Sequence, residues 1–107
     1  MNATRPFAPP SLDQVHAACA TVNDPEFGLS IVDLGLIYDV ALNDTAVIVR
    51  MTLTTPSCPA GGVIANAISA AVAAVPGITQ VDVQLVWDPR WTPDMVSARG
   101  RAQLGWR

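Results

Sequence analysis

The sequence predicts an α+β fold: a small α-β-β-α-β sandwich with a three-stranded mixed sheet, widened to four strands if an edge segment joins it. Two helices lie on one face of this sheet and a short helix follows at the C-terminus. Two observations carry this expectation. Apolar residues recur at helical spacing in two stretches, and they alternate at strand spacing in three others, in the order helix, strand, strand, helix, strand. Residues 1–10 hold three prolines and read as a flexible lead-in, and residues 11–107 read as one domain.

Ser11 followed by Gln14 is a capping-box pattern, and Leu12, Val15, Cys19 and Val22 then share a stripe, so the first helix is expected from about Leu12 to Val22. Pro25 ends it by pushing Asp24 out of helical geometry. A loop leads to the first strand, Leu36–Leu42, with Leu36, Tyr38, Val40 and Leu42 on one face and Asp39 on the other. Asn43-Asp44-Thr45 is the expected hairpin turn, and Val47, Val49, Met51 and Leu53 form the apolar face of the second strand, Ala46–Leu53. The second helix, Ala60–Val75, is expected to bury Val63, Ile64, Ala67, Ile68, Ala71, Val72 and Val75. Its other face shows Ala65, Asn66, Ser69, Ala70, Ala73 and Ala74 in place of charges, a flat surface suited to a close neighbour. Pro76-Gly77 stops that helix, Val81, Val83, Leu85 and Trp87 alternate in the third strand, and Thr92-Pro93 starts a short helix ending near Gly100.

Composition removes whole classes. Half the chain is hydrophobic and 14% is charged, which argues against disorder, and a chain of 107 residues buries roughly two-thirds of its extended surface. Six basic residues against nine acidic ones, with no lysine, leave no electrostatic footprint for nucleic acid. From Met51 to Val81 the only ionisable side chain is Cys58. That run is not a membrane span, since a bilayer needs about 20 continuous apolar residues and prolines and glycines interrupt this one. The first ten residues offer no apolar secretion signal, so the cytoplasm is the expected compartment.

Cys58 is the residue with chemistry to offer. With Pro59 at the first position of the second helix, Cys58 becomes its N-cap, where free backbone N–H groups and the helix dipole favour the thiolate. Gly61 and Gly62 keep bulk away from it. The alternative is a small capping residue with no chemistry. Cys19, on the buried stripe, reads as a core hydrophobe, and His16 at the stripe's edge as structural or solvated. The acidic residues available to Cys58 are Asp24, Glu26 and Asp33. Glu26 is the only glutamate of the chain, and Thr54 and Thr55 offer hydroxyls near Cys58. No Cys-x-x-Cys pair, nucleotide-binding loop or histidine-based triad is present.

The segments NDPEFGLSIVDLGLIYDV, TTPSCP and LVWDPRWTPDMVSARGRAQLG, in this order and spacing, resemble the SufT/PaaD-like iron-sulfur cluster assembly family. The resemblance runs from about Ser11 to Gly105. It implies an α+β domain in which an Asp-Pro-Glu loop and a Thr-Thr-Pro-x-Cys-Pro loop meet around one reactive cysteine. Carried onto this chain, the site is Cys58 with Asp24, Glu26, Thr54 and Thr55. No cysteine follows Cys58, which favours the shorter SufT-like form over the PaaD type.

The implied function is cluster assembly or maturation, with Cys58 as ligand to iron of a transient iron-sulfur cluster and assembly proteins and client apoproteins as partners. No nucleotide, nucleic acid or membrane is expected. One thiolate cannot complete a cluster that ordinarily takes four, so the other ligands come from a second subunit in a homodimer, an external thiol or a partner protein. Two rival readings are an adaptor that only docks apoproteins, and a stand-alone enzyme with Cys58 as nucleophile and Glu26 as base.

Overall fold

The structure, a computed structural model, describes residues 9–55 and 61–106. Helix α1 spans Leu12–Ala20 and starts with the expected reciprocal cap. Ser11 Oγ accepts the Gln14 N–H at 3.2 Å, and Gln14 Oε1 accepts the Ser11 N–H at 2.9 Å. It ends short of Val22, because the Thr21 hydroxyl donates to the Ala18 carbonyl at 2.7 Å and closes the last turn.

Strands β1, Ile37–Asn43, and β2, Ala46–Met51, pair antiparallel, and β3, Gln80–Leu85, pairs parallel to β2, giving the order β1-β2-β3. The parallel pair requires a crossover, and helix α2, Gly61–Ala73, supplies it. The hairpin turn is tighter than the expected three residues. Asn43 pairs with Ala46, so Asp44 and Thr45 alone make the loop, and Asp44 takes the left-handed conformation (φ 56°) that aspartate tolerates.

Side-chain alternation separates the two faces of the sheet. Val47, Val49 and Met51 are buried, with Val40, Leu42, Val81 and Val83 beside them in register, beneath Val15 and Cys19 of α1 and Ile64, Ile68 and Val72 of α2. Burying each of these large side chains contributes roughly 1.5–3 kcal/mol. The opposite face is polar: Arg50 lies 3.2 Å from Asp39 and donates to Gln84 at 3.3 Å, and Gln84 donates to Asp82 at 2.9 Å.

Three further expectations are corrected. Val63 is 64% exposed, because the buried stripe of α2 is the narrow row Ile64, Ile68, Val72 and Val63 sits about 100° around the helix from it. Strand β3 stops at Leu85. The next amide, that of Val86, donates to Met51 at 2.8 Å and the chain then leaves the sheet, so Leu85 and Trp87 are 48% and 42% exposed. The C-terminal helix is two pieces, a 3-10 turn at Pro93–Met95 and helix α3 at Ala98–Leu104. Thr92 makes no side-chain cap, whereas the Ser97 hydroxyl accepts the Gly100 N–H at 3.0 Å and starts α3. Among the described residues no helix is long and apolar enough to cross a membrane.

Cys19 is fully buried and burial pushes its thiol above the ordinary value. The unfolded chain therefore loses this proton first, and folding stability falls as pH rises past about 9. With no lysine in the chain, few other groups titrate there. Urea midpoints measured at pH 8 and pH 10 should fall in wild type and fall less in Cys19→Ala. Equal slopes in the two proteins would contradict the assignment.

Candidate functional site

The antiparallel pair places the start of β1 beside the end of β2, and backbone hydrogen bonds extend that alignment into the loops. Ile31 N–H donates to Val22 at 2.9 Å, Leu36 N–H to Ile31 at 3.0 Å, and Thr52 N–H to Leu36 at 2.8 Å. The loop after α1 and the loop after β2 thereby lie at one end of the sheet. It is also the carboxyl end of the parallel β2-β3 pair and the amino end of α2, where open α/β arrangements commonly place ligands.

Asp24 is 1% exposed. Its Oδ1 accepts the Glu26 N–H at 2.7 Å, its own N–H donates to Leu29 at 2.8 Å, and its carbonyl accepts the Gly28 N–H at 2.8 Å. Asp24 is thus the organiser of its loop, an Asx turn closed by Gly28 at φ 70°. Glu26 is held next to it by the same bond, with its side chain exposed. Asp24 and Glu26 thus share one turn of this loop.

Thr54 is half-buried and Thr55 exposed just past β2. The base of the following loop is closed by Leu53 and Gly61: a side-chain carbon added at Gly61 would come within 2.7 Å of Leu53 Cδ1. Gly61 thus serves close packing there. Cys58, with its expected N-cap role and that of Pro59, lies in 56–60, outside the described residues, as do residues 1–8 of the lead-in.

A cavity of about 220 Å³ opens at this end, lined among the described residues by Leu53, Thr54, Trp87 and Arg90. Trp87 and Arg90 were missed as site residues in the sequence. Alternation assigned Trp87 to the third strand, and nothing local to Arg90 reveals which loop it will face. Arg90 has no ion-pair partner among the described residues, so its guanidinium is a fixed positive charge available to an anionic group. Among the described residues no three His, Cys, Asp or Glu side chains gather as metal ligands.

Asp33 serves elsewhere. Its Oδ1 accepts the Ser97 hydroxyl at 2.9 Å and its carbonyl accepts the Ser97 N–H at 2.7 Å, so it seats the start of α3.

The chain is similar to known proteins over most of its length. Residues 12–85 match the model of a family described as iron-sulfur cluster assembly protein. The chain is 44% identical over 85 residues to the Fe-S protein maturation auxiliary factor SufT of Staphylococcus aureus, covering 78% of this chain and 97% of that one. It is 38% identical over 72 residues to an iron-sulfur cluster carrier protein of Deinococcus radiodurans, covering 67% of this chain and 21% of the carrier. A crystal structure of a domain of unknown function, DUF59, from Bacillus anthracis superposes with a TM-score of 0.84 at 33% identity, covering 89% of this chain and 92% of that one.

Proposed function

The chain belongs to the iron-sulfur cluster assembly protein family, with the assembly role that its relatives' names carry, and we propose that it passes clusters to client apoproteins through Cys58. One observation supports Cys58 above all. The chain has two cysteines, and Cys19 is sealed in the core with its thiol pushed up by burial, which leaves Cys58 as the thiol available to iron.

The cluster is cargo. Cys58 thiolate provides one iron ligand, and the remaining ligands come from a second copy of this chain, an external thiol or a partner assembly protein. Delivery is ligand exchange: a client thiolate bonds to iron as the Cys58 sulfur leaves, no electrons move, and the incoming thiol releases a proton that the departing thiolate takes up. Arg90 stabilises the negative charge of a thiolate-ligated cluster at the cavity, and Asp24 keeps the Glu26 loop in place beside it. The compartment proposed is the cytoplasm, where thiols stay reduced. The exposure of Val63, Leu85 and Trp87 at the same end favours a second reading, an adaptor that docks apoproteins.

Anaerobic rebuilding with iron and sulfide separates the two. Cys58→Ala is expected to lose at least about tenfold in bound iron while Cys19→Ala keeps wild-type loading. Equal iron in Cys58→Ala and wild type would overturn cluster transfer and leave the adaptor.

A further inference from the structure

Tyr38 does not sit where strand alternation places it. The register of the β1-β2 ladder shifts between Ile37 and Asp39, so Ile37 pairs with Met51 and Asp39 with Arg50, and Tyr38 falls at the irregularity. Such bulges re-aim a side chain, and they are over-represented beside functional sites. Here the side chain reaches the segment that follows β3. Tyr38 Oη donates to the Pro89 carbonyl at 2.7 Å and approaches Met95 Sδ at 3.4 Å. Burial pushes the phenol up from its ordinary value, a nearby Thr52 hydroxyl pulls the other way, and the Asp88 carboxylate adds to the rise. The phenol is therefore a proton donor throughout the neutral range. The Thr52 hydroxyl, itself fully buried, has no partner in hydrogen-bonding geometry among the described residues, and of the two acceptors that Tyr38 reaches the Pro89 carbonyl is the nearer and stronger.

Pro89 lies between the two cavity residues that come from this segment, Trp87 and Arg90. We infer that Tyr38 is a positioning residue of the candidate site: through the Pro89 carbonyl it holds Trp87 and Arg90 beside Thr54. This rests on the cavity being part of the site. Trp91 Nε1–H donates to Leu34 at 2.7 Å and fastens the same segment one residue further on, while the Asp33-Ser97 contact acts at its far end.

Tyr38→Phe removes one hydroxyl and keeps the ring, so the variant is expected to fold. In ¹⁵N NMR spectra of the metal-free chain, Tyr38→Phe should shift the Trp87 indole N–H and the Arg90 and Thr54 amide signals. Exchange of the Val86 amide, which donates to Met51, should rise by up to about tenfold. Ser97→Ala, which loosens α3 at the other end, should leave those signals in place. A Tyr38→Phe spectrum changed only next to residue 38, or Ser97→Ala moving Trp87 and Arg90 equally, would overturn the inference, since a merely stabilising hydroxyl lowers the unfolding midpoint without moving native signals. The readout needs no metal, so it fails or succeeds independently of the iron-binding test on Cys58.

Discussion

Gly35→Ala is expected to destabilise the chain by roughly 2–5 kcal/mol, from left-handed strain of about 1–2 kcal/mol together with overpacking of about 1–3 kcal/mol. Gly35 has φ 78°, and an added side-chain carbon would overlap the Met95 carbonyl oxygen and stand 2.9 Å from Met95 Cβ. Those are atoms of the 3-10 turn that rides over the loop before β1, and a backbone carbonyl cannot swing aside as a side-chain tip does. Gly28 is the matched control. It has φ 70° and open space around it, so Gly28→Ala carries the strain alone, about 1–2 kcal/mol. Urea unfolding of the two variants separates the effects. Equal midpoints would mean that the Met95 turn yields, and that the C-terminal segment is loosely seated.

The second large effect is at Asp24. Asp24→Ala removes a buried carboxylate that accepts the Glu26 amide, a charge-assisted bond, and should cost about 2 kcal/mol and release the loop that presents Glu26. Asp24→Asn keeps an accepting oxygen at the same place and should recover about half of that loss. The pair of variants separates architecture from chemistry. If Asp24→Asn regains stability but still loads less iron than wild type, the carboxylate acts on the cargo. If loading follows stability in both variants, Asp24 is a loop builder only. Unfolding midpoints of both variants within about 0.5 kcal/mol of wild type would contradict the structural role.

How far the sequence could be read follows from the range of the interactions. Elements set by neighbours along the chain were legible: the Ser11-Gln14 cap, the alternating face of β2, and the end of α2 ahead of Pro76-Gly77, which comes at Ala73 rather than Val75. The width of the α2 stripe was not, because periodicity marks which residues are apolar and the neighbouring layer decides how many of them are covered. Val63 is apolar and one residue from that row, and no described element covers it. The split of the C-terminal helix had a local signal in Ser97. It competed with Thr92-Pro93 upstream, and the contact that favours Ser97 as a start comes from Asp33, 64 residues away.

The sequence by itself determined the layer order and carried the resemblance to the family, and it marked Asp24, Glu26, Thr54, Thr55 and Cys58 as candidates, because these depend on local pattern and residue type. Only the tertiary structure decided that Asp33 seats α3, that Trp87 and Arg90 line the cavity, and that a strand irregularity turns Tyr38 toward Pro89. Each of those depends on which loops a mixed sheet brings to one end, and the chain reveals that only once its strands have paired.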